Sequence, residues 1–194
     1  MATYTVLFDV CVMYPAPLRS YLMYLSNTGL FRARWSNQIH DEWIRNLMKN
    51  NPSLQREQLE RVKNLMNAHV PDCLVEEYEY LISGLSLPDE DDRHILATAL
   101  KGQAEAIITF NLKDFPTEKL SPLGVSAIHP DEFLSDMFEM DPSACIKVCQ
   151  CGLNLISNPE ICLSFPALPR FNESVCTGSL KQSSSGLKPV SKSP

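Results

Sequence analysis

No apolar run in this chain approaches the roughly 20 residues that a membrane span requires. The opening stretch, Met1-Ala2-Thr3-Tyr4-Thr5-Val6-Leu7-Phe8-Asp9, has no basic lead and meets a charge too soon for a secretory signal. A cytoplasmic protein without membrane contact is expected. Positive charge is also scarce: 17 Lys and Arg stand against 23 Asp and Glu, a formal net charge of -6. That balance argues against coating nucleic acid by plain electrostatics, which relies on clustered Lys and Arg. It leaves room for an enzyme that reaches phosphate through a bound cation. Paired cysteine spacing is missing as well. The seven cysteines, Cys11, Cys73, Cys145, Cys149, Cys151, Cys162 and Cys176, are odd in number, and Cys145, Cys149 and Cys151 show no C-x-x-C pair and no nearby His, so reduced thiols are expected and a structural zinc site is not. There is no internal repeat.

What is present suits one globular domain with an extension: 194 residues, 44% hydrophobic and 21% charged. Thr3 to Val10 is β-branched and aromatic with little alternation, which predicts a buried strand of the parallel type. Tyr14-Pro15-Ala16-Pro17 breaks it, and a helix is expected from Leu18 to Ser26. Leu30 to Trp35 predicts a second short strand, and Ser36 or Asn37 caps a helix with Ile39, Trp43, Ile44 and Leu47 on its apolar side. A further helix is expected from Asn50-Asn51-Pro52-Ser53 to about Ala68, then an acidic helix from Leu87 to Leu100, a strand around Ile107-Ile108, a last strand at Val125 to Ile128, and helices from Pro130 and Pro142. Alternating elements of this kind specify an α/β fold with a central parallel sheet. Beyond Pro159 the Pro, Ser, Gly and Lys mixture predicts disorder.

Four acids from four segments stand out: Asp9, Glu42, Asp92 and Asp114. Asp9 closes a buried strand, where open α/β sheets place their ligand sites, and an acid there needs a partner. Glu42 falls on the flank of its helix's apolar stripe, a position that favours solvent over a cleft. Asp92 lies in Leu87-Pro88-Asp89-Glu90-Asp91-Asp92, four acids in a row at an expected helix start, with Asp89 and Asp91 assigned to capping. Asp114 sits just past the expected strand end. Carboxylates gathered at one sheet edge repel one another unless a cation joins them, and a divalent ion with oxygen ligands is the usual solution. Thr109 and Asn111 flank the fourth acid and can hydrogen-bond a carboxylate or a phosphate. Arg32, Arg34, Arg45 and Arg93 are candidate phosphate contacts that would offset the acidic total locally.

Val6-Leu7-Phe8-Asp9 followed by Tyr14-Pro15-Ala16-Pro17-Leu18-Arg19, then Trp35-Ser36 through Asp41-Glu42 to Leu47, Leu87-Pro88-Asp89 with Asp91 to Ala97, and Ile108 to Pro116 resemble, in order, the four acidic elements of PIN-domain proteins. These metal-dependent ribonucleases include the VapC-like toxins of bacterial toxin–antitoxin pairs. The resemblance covers about residues 3 to 140. It implies a three-layer α/β/α nuclease domain over residues 1–140; residues 141–194, with the helix expected at 142–155, are an extension, and after about Asn158 the chain shows no pattern of the family. It further implies Mg2+ or Mn2+ held by Asp9, Asp92 and Asp114, with Glu42 completing the catalytic set and Thr109, Asn111 and Arg93 in support. RNA is the implied substrate, and an antitoxin protein and a second copy of the chain are implied partners. The pattern departs at Cys11, where relatives often have a small polar residue; looser hydrogen bonding around Asp9 is expected there.

Three other functions share parts of this pattern. A haloacid-dehalogenase-type phosphatase also ends its first strand in Asp, but wants a second Asp where this chain has Cys11. A phosphorelay receiver domain would need a Lys at its last strand, and Val125 to His129 offers none. A PIN-like fold that binds RNA or protein without turnover would retain the same acids.

Overall fold

The computed structural model describes residues 4–157, with side chains described as far as Gln150. Four short strands, β1 (Thr5–Phe8), β2 (Arg32–Arg34), β3 (Ala106–Ile108) and β4 (Ser126–Ile128), form an all-parallel sheet in the order β2-β1-β3-β4. Val6 is opposite Ala33 on one side and Ala106 on the other. Val6, Leu7, Phe8, Ala106, Ile107 and Ile108 are all fully buried, so both faces of the central pair are covered, as a parallel sheet requires. The helices that flank the sheet are α1 (Val10–Met13), α2 (Ala16–Ser26), α3 (Asn37–Asn50), α4 (Arg56–His69), α5 (Glu79–Ile82), α6 (Arg93–Lys101), α7 (Thr117–Leu120), α8 (Pro130–Met140) and α9 (Pro142–Ser157). The fold is the expected three-layer α/β/α arrangement with a helical C-terminal region.

Several expected boundaries move, each for a local reason. The first strand ends at Phe8 because Asp9 is already the cap of α1, its side chain accepting the Val10 N–H. The helix expected from Leu87 begins only at Arg93. Ahead of it Asp89 Oδ1 accepts the Asp91 N–H at 2.9 Å, a local turn bond that competes with helical pairing. Asp89 therefore caps a turn rather than the helix, and the N-cap position falls to Asp92, whose side chain makes no capping bond. The helix expected to start at Asn50-Asn51-Pro52-Ser53 starts later: α3 runs to Asn50, and α4 starts at Arg56 with Gln58 Oε1 accepting the Gln55 N–H at 3.4 Å. At the far end α9 packs on α2 and α8, with Cys145 and Val148 buried and the Tyr21 hydroxyl donating to the Cys145 carbonyl at 3.4 Å. Packing thus continues past residue 140, while the segment expected to be disordered lies outside the described residues.

Beneath one end of the sheet an aromatic and polar brace joins α2, α3 and α4. Trp35 Nε1 and His40 Nε2 both reach Asn67 Oδ1, at 2.8 and 2.9 Å, and Trp43 Nε1 donates to His40 Nδ1 at 2.9 Å. With Nδ1 accepting, Nε2 carries the proton toward Asn67. Burial is the main reason the His40 pKa falls to about 4, so the ring stays neutral and this tautomer persists at neutral pH. The buried Arg19 guanidinium lies 4.6 Å from the Trp43 ring centroid and donates to the Met13 carbonyl at 2.6 Å, which pins the end of α1 to α3.

Asn67→Ala would leave two fully buried donors, on Trp35 and His40, without their acceptor. A loss of about 2–4 kcal/mol is expected, measured as a lower urea midpoint with an unchanged slope; a change under about 0.5 kcal/mol would contradict the brace.

Candidate active site

The strands are parallel, so their C-terminal ends share one edge, and the residues that follow β1 and β3 meet there. The Asp9 N–H donates to the Ile108 carbonyl at 3.2 Å, and the Thr109 N–H to the Ile128 carbonyl at 3.0 Å. Asp9 is only 4% exposed, and a carboxylate so placed is costly unless its oxygens are satisfied. They are. Oδ2 accepts the Thr109 hydroxyl at 2.6 Å and the Cys11 thiol at 3.0 Å, while Oδ1 accepts the Val10 N–H. Thr109 Oγ1 in turn accepts the Asn111 N–H at 2.9 Å, and Cys11 Sγ accepts the Phe110 N–H at 3.3 Å.

Cys11 therefore does not loosen the bonding of Asp9, as its replacement of a small polar residue suggested. Burial, then the Asp9 charge, pushes its thiol up to about 12. It stays protonated at neutral pH and serves as a donor in the place of a hydroxyl.

Asp9 opens onto a cleft of about 480 Å³ lined by Val10, Cys11, Tyr14, Glu42, Asn46, Lys49, Asn50, Asp92 and Asn111. Three of the four expected acids share it. Asp92 has no capping bond to make, and its carboxyl is pushed up to about 6, first by burial and then by the charges of Asp9, Asp89 and Asp114. Glu42 faces the cleft rather than solvent because His94 holds it there. His94 is 3% exposed, its Nε2 lies 3.2 Å from Glu42 Oε1, and Gln38 donates to the same oxygen at 3.2 Å. Burial opposes ionisation of Glu42, but the hydrogen bond and charge of His94, with Gln38 and Arg45, hold its carboxyl below the ordinary range. His94 Nδ1 is buried without a partner among the described residues.

Asp114 lies past the end of β3, as expected, but one short turn further on. It lies in a 3-10 turn, Leu112–Asp114, and is absent from the cleft wall, although its charge acts on Asp92. Thr109, not Asp114, is the residue that follows the strand and meets Asp9. Arg93 is engaged by Glu90 at 2.9 Å, and none of Arg32, Arg34, Arg45 and Arg93 lines the cleft. Arg34 instead lies against Gly102. The wall residues that sequence reasoning missed are Tyr14, Asn46, Lys49 and Asn50. Their signal was spacing: Asn46, Lys49 and Asn50 lie four, seven and eight residues after Glu42, one stripe of a helix. A second hollow, about 540 Å³, follows one face of α4 beside Arg56, Glu60 and Arg61; its charges pair along the helix, Arg56 with Glu60 at 3.1 Å, and converge on nothing.

A parallel α/β sheet whose C-terminal edge carries a buried, hydrogen-bonded aspartate and a cleft of further carboxylates defines an acid-site α/β protein. The chain belongs to the PIN domain family: the model of that family, described as PIN domain, matches residues 5–113, more than half of the sequence. Over 49 residues the chain is 49% identical to a Mycobacterium tuberculosis protein named "Putative ribonuclease VapC50". That stretch is 25% of this chain and 29% of the relative, so under a third of the relative's length is spanned. No solved structure matches the chain.

The raised Asp92 carboxyl sets a pH dependence. Its folded pKa, about 6, lies above the ordinary 3.8, so the folded state binds the extra proton. Its contribution is full below about pH 3.8 and is lost as pH rises through 6. Asp92→Asn is expected to stabilise the metal-free protein at pH 7 by about 1 kcal/mol after discounting for solvent screening, with the difference vanishing near pH 4. Urea titrations in chelator at the two pH values check this. Equal stability at pH 7 would contradict the crowding of charge at the site.

Proposed function

We propose that this chain is a Mg2+- or Mn2+-dependent endoribonuclease, the toxin component of a toxin–antitoxin pair, with residues 1–140 as the nuclease domain and residues 141–194 as its extension. The observation that carries this is the convergence of Asp9, Glu42 and Asp92 on one cleft at the C-terminal edge of a PIN-domain sheet. The similarity to a protein named a ribonuclease supports it.

The donor set fits a hard divalent cation. It consists of carboxylate oxygens; the thiol beside them is held protonated and the His94 imidazole is engaged with Glu42. Among the described residues no group of three or more His, Cys, Asp or Glu side chains stands ready to hold a metal. Mg2+ is commonly bound through one or two carboxylates, its own waters and substrate phosphate oxygens, so a pair of anchoring acids is sufficient. We assign the anchoring role to Asp9 and Asp92, with Asp114, whose charge acts on Asp92, as the third acid of the set. Such an ion supplies neutralisation of phosphate charge and a water acidic enough to attack.

The chain's own residues account for the rest. Thr109 and Cys11 fix the rotamer of Asp9 so that its free lone pairs face the cleft. Glu42, kept ionised by His94, accepts a proton from the attacking water at the opposite wall. Asn111, on the rim, is placed to hydrogen-bond a phosphate oxygen. An unpaired carboxylate cluster of this kind also favours a cationic side chain, which is how an antitoxin would silence it: by inserting an Arg or Lys between Asp9, Glu42 and Asp92. A PIN fold that binds RNA or protein without turnover is the second reading, favoured by the position of Asp114 off the cleft wall.

Asp9→Asn and Asp92→Asn are each expected to lower Mn2+-dependent cleavage of RNA by roughly 100-fold or more, with far-UV circular dichroism unchanged and chelator abolishing the wild-type activity. Cleavage by both variants at the wild-type rate would overturn the assignment. A wild-type chain that binds RNA with no metal-dependent cleavage would establish the second reading.

A further inference from the structure

Among the basic residues without a salt bridge in the described residues, Arg45 and Lys49 both lie on α3, and Lys49 alone of the two lines the cleft. Lys63 pairs with Asp41, Arg56 with Glu60 and Arg93 with Glu90. Lys49 has no carboxylate at salt-bridge distance among the described residues, and it is the one cation on the wall of the cleft otherwise lined by Asp9, Glu42 and Asp92. Its neighbours on that wall are hydrogen-bonding groups with capacity to spare. Asn50 Nδ2 donates to the Tyr14 hydroxyl at 2.9 Å, which leaves the hydroxyl proton of Tyr14 free to donate. Asn46 adds a further amide one turn from Glu42.

The placement of Lys49 along α3 says what it would hold. Glu42 and Lys49 are seven residues apart on one helix, about 10 Å along its axis at about 1.5 Å per residue. A phosphate bound between Asp9, Glu42 and Asp92 would lie about two helical turns from the Lys49 backbone, which puts the ammonium on the side of the next phosphate along the strand. Resting on the nuclease assignment above, we infer that Lys49, with Tyr14 and Asn50, forms a subsite for a backbone phosphate flanking the scissile one, so that this wall of the cleft selects a polynucleotide strand over an isolated phosphodiester. The subsite answers a problem of sign. A chain of net charge -6 with an acidic cleft repels a polyanion, and one unpaired ammonium at the cleft's end supplies local attraction and a direction for the strand. Lys49 also sits in the last turn of α3, where any cation offsets the helix dipole. That role predicts a change in stability and none in substrate affinity, so the two are separable.

The test uses the full chain and two probes: a short labelled single-stranded oligoribonucleotide and bis(p-nitrophenyl) phosphate, which has one phosphodiester and no flanking phosphate. In the Asp9→Asn background, which blocks turnover, Lys49→Ala should weaken oligoribonucleotide binding roughly tenfold at low salt and reduce the salt slope by about 1, while Lys49→Arg keeps both. In the active chain Lys49→Ala should raise KM for the oligoribonucleotide and leave hydrolysis of bis(p-nitrophenyl) phosphate unchanged. Unaltered RNA affinity and salt slope in Lys49→Ala would overturn the subsite, as would an equal loss on both probes. The binding arm reads Lys49 whether or not the chain cuts RNA; absence of wild-type cleavage counts against the nuclease assignment alone.

Discussion

A carboxylate at the end of a fully buried strand is the constraint on which the rest of the structure depends. Asp9 follows Phe8, one of the most enclosed residues of the protein, and is itself 4% exposed. Its oxygens are held from two sides: by Thr109, just past the neighbouring strand and far away in sequence, and by Val10 and Cys11 of the helix that starts at once. Chain reversal after β1 is thus written into the satisfaction of one charge. The same bonds leave Asp9 facing a cleft instead of the core.

Around that fixed point the other acids are held by unequal means, and the inequality suggests a division of labour. Glu42 is kept ionised by its contact with His94. Asp92 has no such partner, and burial, then the neighbouring carboxylates, push its proton affinity up. One acid is thus poised as a base, the other as a ligand whose charge a cation would restore. Under α3, which carries Glu42, the Trp35–Asn67–His40–Trp43 bonds and the Arg19 guanidinium stiffen the wall, so the placement of Glu42 is inherited from a buried network rather than from a loop.

Much of this was legible in the residues. The continuous apolar run before Asp9 marks a strand buried on both faces, and Ile39, Trp43 and Ile44 mark the buried side of α3. Asp9 and Asp92 could be selected because each sits where a regular element ends or starts, whereas the position of Glu42 inside α3 favoured solvent and only its contact with His94 turns it to the cleft. Asp114 follows the strand as expected, but the 3-10 turn that carries it off the cleft wall leaves no periodic trace in the residues. The late start of α6 turned on a side-chain to backbone bond, Asp89 to Asp91, which outcompetes helix over two residues and leaves no periodic trace. Charge alone does not say which cation reaches the cleft: Glu90 takes Arg93, Arg32, Arg34 and Arg45 lie off the wall, and Lys49 faces it. The role of Cys11 depended on burial, which converts a titratable thiol into a dependable donor.

The central claim is that carboxylates are crowded at the end of β1 in a way that a divalent cation relieves. The most direct measurement is an NMR titration of the Asp92 side-chain carboxyl in the full chain, with and without saturating Mg2+. The account predicts a midpoint near 6 in the metal-free protein and a fall of one unit or more, on the order of 1.4 kcal/mol, when Mg2+ is added. A midpoint near the ordinary aspartate value, about 3.9, that Mg2+ does not move would contradict it.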